Sequence, residues 1–425
     1  MADPEAKQAE VSPPPSGPPK GGPPPPEQIQ KTVDWLQARF GAWYRANPPE
    51  MPPRYGRREF GFMWLAKTFM QRHVAFPTRA DLARFLVDRT PGHCYYSTAY
   101  YKRPDAPTMK EKEWLGADLI FDLDADHLEG ADKLSFEEQL GAVKTEAVKL
   151  LEDFLLPDFG FEPEDIRIVF SGGRGFHFHV SNERVWRLGA SERREIVDYL
   201  EAQGFATDSL AIEATRDKDK FGNRTKSLVI PKPTEPGWRG RSTRGLLAQL
   251  ARYRAMPDRD AARELQEFEG IGPKKAAAIV AELHKEDASG LSPLEIAAAT
   301  GVLGHGELMK LASITELRVR GINDEMGESD EPVTADVKRL IRLPGSLHGK
   351  TGLVVTPVPI GGFRDFEPLR DAVAFGEEPV EVVVSKPETL TLGTTRFEIK
   401  PGLQELPEKA AIFMMLRRKA LLPLA

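Results

Sequence analysis

The stretch Ala117-Asp-Leu-Ile-Phe-Asp-Leu-Asp-Ala-Asp126 alternates apolar and acidic residues with the period of a β-strand. Successive strand side chains point to opposite faces, so Leu119, Phe121, Leu123 and Ala125 share one face while Asp118, Asp122 and Asp124 share the other. One face belongs to a core, and on the other the three carboxylates are expected to converge. Like charges held together are costly unless a cation lies between them. Hard oxygen donors at this spacing suit Mg²⁺ or Mn²⁺. Two such ions activate a hydroxyl and stabilise a leaving pyrophosphate. A half-exposed strand with a solvated acidic face is the other reading of the same residues.

Further along, Ile168-Val-Phe-Ser-Gly-Gly-Arg-Gly-Phe-His-Phe-His-Val180 reads as two strand segments around a glycine-rich turn. Backbone amides there can approach an anion closely, and Ser171 and Arg174 add donors. His177 and His179 fall on one strand face, opposite Phe176, Phe178 and Val180. The alternative is a tight hairpin whose histidines only pack. A third stretch, Arg339-Leu-Ile-Arg-Leu-Pro-Gly-Ser-Leu-His-Gly-Lys-Thr-Gly352, crowds Arg342, Ser346, His348 and Lys350 into a turn that could cradle a triphosphate. Its alternative is a basic surface loop. Acidic strand, donor turn and basic loop together are the parts of phosphoryl transfer.

The remaining composition is that of an ordinary globular chain: 425 residues, 40% hydrophobic and 29% charged, with a net charge of −6. No global positive field advertises a polyanionic partner, but basic clusters occur at Arg54, Arg57 and Arg58, at Arg216 to Lys226, at Arg239 to Arg244 and at Lys338 to Arg342. There is no apolar run of about 18 residues and no signal-peptide pattern, so a soluble, cytoplasmic protein without membrane contact is expected. The single cysteine, Cys94, excludes an intramolecular disulfide and a zinc site built from several thiolates.

Residues 1–28, rich in Pro and Gly, are expected to form a disordered tail. Helical spacing of Val33, Leu36, Phe40 and Trp43, and again from Asp81 to Val87, precedes strand-like runs at Cys94 to Tyr101 and beyond. Between 236 and 325 the pattern turns helical, then strands return at Gly352 to Ile360 and Val380 to Val384. The expected organisation is therefore an α+β core in two parts, 29–235 and 326–425, interrupted by a helical subdomain. Ala410 to Arg418 reads as a short amphipathic helix. Within the insert, Phe268-Glu-Gly-Ile-Gly-Pro-Lys-Lys-Ala-Ala-Ala-Ile279 resembles a helix-hairpin-helix element, whose turn amides can meet a DNA phosphate. A Gly-Pro connection between packed helices is the plainer alternative.

These three motifs, preceded by Arg58-Glu-Phe-Gly-Phe62 and Tyr95-Tyr-Ser-Thr-Ala-Tyr-Tyr101, resemble the small catalytic subunit of archaeal DNA primase, in the archaeo-eukaryotic primase superfamily. The resemblance spans about residues 31 to 420. It implies a core like a modified RNA-recognition fold, and an acidic triad holding two Mg²⁺ or Mn²⁺ ions. It also implies de novo primer synthesis on single-stranded DNA from NTPs or dNTPs, with a large subunit carrying an iron–sulfur cluster as heterodimer partner. By position, Asp122 and Asp124 would be metal ligands. Ser171, Arg174, His177, Arg342 and His348 would contact the nucleotide's phosphates. Glu59 and Arg72 fall near the site in the family pattern. Many members carry a zinc knuckle of cysteines and histidines. With one cysteine no zinc is expected, a site from Cys94 with His73, His93 or His127 being the remaining option. Two other functions stay open: an end-joining repair polymerase of the same superfamily, and a non-catalytic DNA-binding subunit.

Two aspartates precede the basic loop. Val333, Val337, Leu340 and Ile341 have helical spacing, so Pro332 is expected to start a helix running towards Arg342. Asp336 would then lie within it, paired with Arg339. Asp330, ahead of it, is the expected third metal ligand, in competition with a plain helix-capping role.

Overall fold

The computed structural model describes residues 23–65, 67, 69–127, 130–205, 212–218, 224–303, 306–312 and 314–424, without the side chains of 127, 212–218, 224–226, 307 and 309. Most of the proline-rich tail lies outside these residues. Helix α1 (Pro26–Ala46) takes in the last of it, because Pro26 suits a first helical position and Leu36, Phe40 and Tyr44 bury one face. The boundary expected at residue 28 thus falls inside the first turn of a helix.

Two four-stranded antiparallel sheets form the core, from β1 (Phe60–Met63), β2 (Gln71–Val74), β3 (His93–Ser97), β4 (Leu119–Asp124), β5 (Ile166–Phe170), β6 (Gly175–Val180), β7 (Leu340–Arg342) and β8 (Thr356–Val358). Their orders are β7-β3-β1-β2 and β8-β5-β6-β4. In the second sheet Phe121 pairs with Phe178 and Phe178 with Ile168, while Asp122 pairs with His177 and His177 with Val169. The alternation therefore sorts an apolar face from a polar one. The apolar face packs under α2 (Phe136–Lys149), which begins in a capping box of Ser135 and Glu138 and buries Leu140, Val143 and Ala147. Burying each of Phe121, Phe176 and Phe178 contributes roughly 1.5–3 kcal/mol. With α3 (Ala190–Leu200) following β6, the chain order is strand, helix, strand, strand, helix, and β8 closes the sheet after the insertion. The fold is α+β, a modified RNA-recognition-like sheet with an inserted helical region.

That region has its own core, from Leu228 and Leu246 to Leu317, separate from the first. Its helices include α4 (Gly237–Ala255), α5 (Asp258–Leu265), α6 (Pro273–Leu283) and α7 (Thr315–Glu325). The cluster reaches back past 236 to Leu228, which sits on a strand paired with Leu303. α4 and α7 cross at Gly245 and Gly321, where a Cβ on Gly245 would lie 2.0 Å from the Gly321 carbonyl oxygen. Trp238 and Arg241 join the two cores: Trp238 Nε1 donates to the Tyr199 carbonyl, and Arg241 pairs with Asp158 at 2.8 Å. The basic side chains from Arg216 to Lys226 lie outside the described residues.

Two local expectations are corrected. The helix at Pro332, α8 (Glu331–Ala335), is short; the chain then turns and enters the sheet as β7. Helical spacing misled here because Leu340 to Arg342 pair with Ser97, Tyr96 and Tyr95 instead. Asp336 is the C-terminal cap of α8, its carbonyl accepts the Arg339 N–H, and its carboxylate accepts the Lys338 N–H. The C-terminal helix α9 (Glu408–Leu416) is not amphipathic: every residue from Glu408 to Met415 is buried. It sits between α2, through Phe136 and Phe413, and the strands at 379–384 and 402–407, so it needs no solvent face.

Candidate active site

β4 ends at the edge of its sheet, and the segment before α8 covers that edge, the Asp330 N–H donating to the Asp122 carbonyl at 2.9 Å. Asp122, Asp124 and Asp330 thereby line one small cavity with Glu146, Glu328 and Ser329. Burial first, then Asp124 and Asp330, push the Asp122 carboxyl up to about 7. Asp330 also caps α8, accepting the Val333 N–H at 3.3 Å, so capping and membership of the acidic group coexist. The Asp124 carboxylate accepts the Asp126 N–H at 3.0 Å and faces Arg174 Nη2 at 3.4 Å. Arg174 also pairs with Asp126 at 2.6 Å.

Asp118 does not join this group, contrary to the expected convergence. It is buried at the other end of β4, paired with Arg58 at 2.6 Å and accepting from Tyr100 Oη and Ser181 Oγ. Arg58 draws the carboxylate away, and a buried ion pair with these additional hydrogen bonds is self-sufficient. Glu59 is likewise engaged, gripped by Arg72 at 3.0 and 3.1 Å, by Lys112 at 3.2 Å and by the His73 N–H at 2.9 Å. Glu59 and Arg72 therefore brace β1 against β2.

The two donor loops meet. Gly172, at φ 74°, lies so close to the following loop that a Cβ would come 2.7 Å from His348 Cβ. Thr351 Oγ1 donates to the Gly172 carbonyl, and His348 Nδ1 lies 3.2 Å from Thr351 Oγ1. Ser171 Oγ accepts the Gly173 N–H at 3.2 Å, which sets the turn. Arg342 lies between two imidazoles, one nitrogen on His93 Nδ1 and the other 3.0 Å from His348 Nε2, with its guanidinium 4.6 Å over the Tyr95 ring. Burial and the Arg342 charge push His93 down to about 3 and His348 well below its ordinary value. Both rings are neutral acceptors, so the half-buried guanidinium is held by neutral groups and its charge remains available to an anion.

His177 Nε2 lies 3.3 Å from Asp122 Oδ1. Burial, then Arg342 and Arg339, push its pKa down to about 3. While Asp122 is ionised the neutral ring carries its proton on Nε2, leaving Nδ1 without a partner among the described residues. His179 stacks on Tyr96 and lies 3.2 Å from Tyr96 Oη.

His93 is the residue that motif reading missed as part of this site. Strand alternation places it with Tyr95, which was the available signal. Its Nδ1 also accepts the Gly349 N–H at 3.2 Å. As for zinc, Cys94 is buried beside Tyr44 Oη at 3.6 Å, and burial pushes its thiol up to about 12, so it is held as a thiol. His73 Nδ1 lies 3.1 Å from the Ala106 carbonyl, and the His127 side chain is outside the described residues.

Among the described residues no three His, Cys, Asp or Glu groups stand ready-made to hold an ion. The donor type nevertheless fits a hard divalent cation: three carboxylates share a cavity, and one is destabilised in its charged form by the other two.

Carboxylates at a strand end, beside a half-buried arginine whose hydrogen-bond partners among the described residues are neutral, define a site for phosphoryl or nucleotidyl transfer. Comparison with known proteins narrows the class. The profile of the DNA primase small subunit matches residues 121–360. A protein named DNA primase small subunit PriS from Methanothrix thermoacetophila is 43% identical over 399 residues, covering 91% of this chain and 98% of that protein. Proteins of the same name from Methanococcoides burtonii and Halorubrum lacusprofundi are 40% and 37% identical, each covering 92% of this chain and 98% of its own length. The chain belongs to the DNA primase small subunit family. It is a DNA primase catalytic subunit, and so in general a nucleotidyltransferase of DNA replication. No described helix is long and apolar enough to cross a membrane.

Proposed function

We propose that this chain synthesises short primers de novo on single-stranded DNA, joining nucleotides with release of pyrophosphate at a two-metal site held by Asp122, Asp124 and Asp330. The observation that carries this reading is the shared cavity of the three carboxylates, with Asp122 pushed up to about 7. Bound Mg²⁺ or Mn²⁺ would lower the pKa of the attacking hydroxyl and stabilise the leaving pyrophosphate. Everything else is supplied by the chain. Arg342, oriented by His93 and His348, meets the triphosphate charge. Ser171, Arg174 and the turn amides position its oxygens. His177 donates to Asp122 and fixes that carboxylate's direction.

Substrates in this reading are NTPs, dNTPs or both, and the template is single-stranded DNA. The partner is the large primase subunit in a heterodimer, which would carry the iron–sulfur cluster that one thiol here cannot hold. The helix-hairpin-helix-like turn adds a second DNA contact: Lys274 is exposed at the start of α6, and Lys275 Nζ braces the turn by donating to the Gly270 carbonyl at 2.8 Å.

The test is incubation of the purified chain with unprimed single-stranded DNA, labelled NTPs or dNTPs, and Mg²⁺ or Mn²⁺. Dinucleotide formation is the expected result. Extension confined to primed substrates would assign a repair polymerase, and DNA binding without synthesis would assign a non-catalytic subunit.

A further inference from the structure

The basic cluster at Arg54 and Arg57 takes no part in the site above. These residues wall an open cleft of about 730 Å³ with Tyr55, Tyr100, Leu115 and Trp186. Its position is set by Asp118 beneath it, because Tyr100 Oη donates to that carboxylate at 2.6 Å. Asp118 precedes β4, and Asp122 and Asp124 lie four and six residues further on, so the strand puts roughly 13 to 20 Å between Asp118 under the cleft and those carboxylates.

The cleft is built rather than incidental. Arg54 is held in the left-handed region at φ 56° and ψ 34°, where a side-chain-bearing residue pays about 1–2 kcal/mol that glycine would not. The turn is pinned from below: Arg58 Nε donates to the Pro53 carbonyl at 2.8 Å, and the Arg57 and Arg58 N–H groups bond back to Arg54 and Tyr55. The Arg54 guanidinium lies 3.7 Å from the Trp186 ring centroid and 5.4 Å from that of Tyr100. Among the described residues it has no carboxylate partner. Arg57 donates to the Lys102 carbonyl, a neutral group. Among the described residues no acidic one lines the cleft, and Leu115 is 50% exposed at its rim.

Two cations with neutral partners over aromatic walls match one ligand chemistry, a chain of phosphates carrying flat bases. We propose that this cleft is a second binding site for single-stranded nucleic acid, with Arg54 and Arg57 on phosphates and a base stacked against Tyr55 or the Arg54–Trp186 pair. Its distance from the carboxylates makes it a grip on the template away from the point of synthesis. The inference rests on the proposed primase reading only for why such a strand is present; binding itself needs no catalysis.

The test uses the full chain and a fluorescent oligothymidylate, with anisotropy read across a salt series. The double variant Arg54→Gln, Arg57→Gln should lose at least about tenfold in affinity and shallow the salt slope by about 1.4, the value for two phosphates on a single strand. It should make dinucleotide at the wild-type rate when template saturates. Asp122→Asn should keep the affinity and lose synthesis, so failure of the primase reading and failure of this site are told apart. Independently, an oligonucleotide carrying 5-iododeoxyuridine should photocrosslink to Tyr55, Tyr100 or Trp186. Unchanged affinity and slope, or crosslinks only elsewhere, would overturn the proposal and leave the cleft to an acidic peptide of a partner.

Discussion

Asp330 donates its backbone N–H to the carbonyl of Asp122, so the chain leaving the inserted region returns to the edge strand β4 at the first of the site's carboxylates. That bond sets the third carboxylate beside the first two, and the site's charge balance follows from it.

The pH dependence of stability has a definite sign. The Asp122 carboxyl is raised from 3.8 to about 7, so between those values the folded protein holds a proton that the unfolded chain has released. Metal-free protein should therefore lose stability as pH rises from about 4 to about 7. Thermal melting in chelator should show this fall, and Asp122→Asn should flatten it. Mg²⁺ or Mn²⁺ above pH 7 should raise the melting temperature of the wild type more than that of the variant.

Single Asn substitutions at Asp122, Asp124 and Asp330 should each cut nucleotide transfer by well over tenfold, about 1.4 kcal/mol in barrier, with template affinity kept. Asp336→Asn should stay active, because Asp336 caps α8 and bonds to the Lys338 N–H. Steady-state rates on unprimed template check both. Inactivity of Asp336→Asn with activity of Asp330→Asn would reverse the assignment.

Arg342→Lys should lower kcat/KM for nucleotide by more than about tenfold, since one ammonium cannot bond two imidazoles and present a planar fork. Template affinity should not move. Nucleotide titration and oligonucleotide anisotropy on the same variant separate the two.

Gly172→Ala should destabilise the protein by about 1–2 kcal/mol from its left-handed backbone alone. It should also displace His348, because the new methyl would meet His348 Cβ at 2.7 Å. Denaturant titration reads the first effect and a raised nucleotide KM the second.

In the insert, Lys274→Glu with Lys275→Glu should weaken DNA binding and shallow its salt slope, by about 0.7 for each single-strand phosphate no longer neutralised. Dinucleotide formation at saturating template should be unchanged. A salt slope equal to the wild type would leave the turn a plain helix connection.

What the sequence determined by itself is local and periodic. Alternation from Leu119 to Asp124 named the core face and the acidic face, and the same period put His177 opposite Phe176 and Phe178. The glycines at 172 and 173 marked the turn, and the motif order sufficed for the family. Period alone could not choose between helix and strand for Leu340 to Arg342, because β3 lies far away in the chain and only its free edge makes a strand there the better choice. Nor could it see Arg58 reach Asp118, which stand ahead of strands in different sheets, or His93 bond Arg342, which meet because β3 pairs with β7. Backbone conformation is written in neighbouring residues. The partner of a charge is decided by which strands run side by side, and that is a property of the tertiary fold.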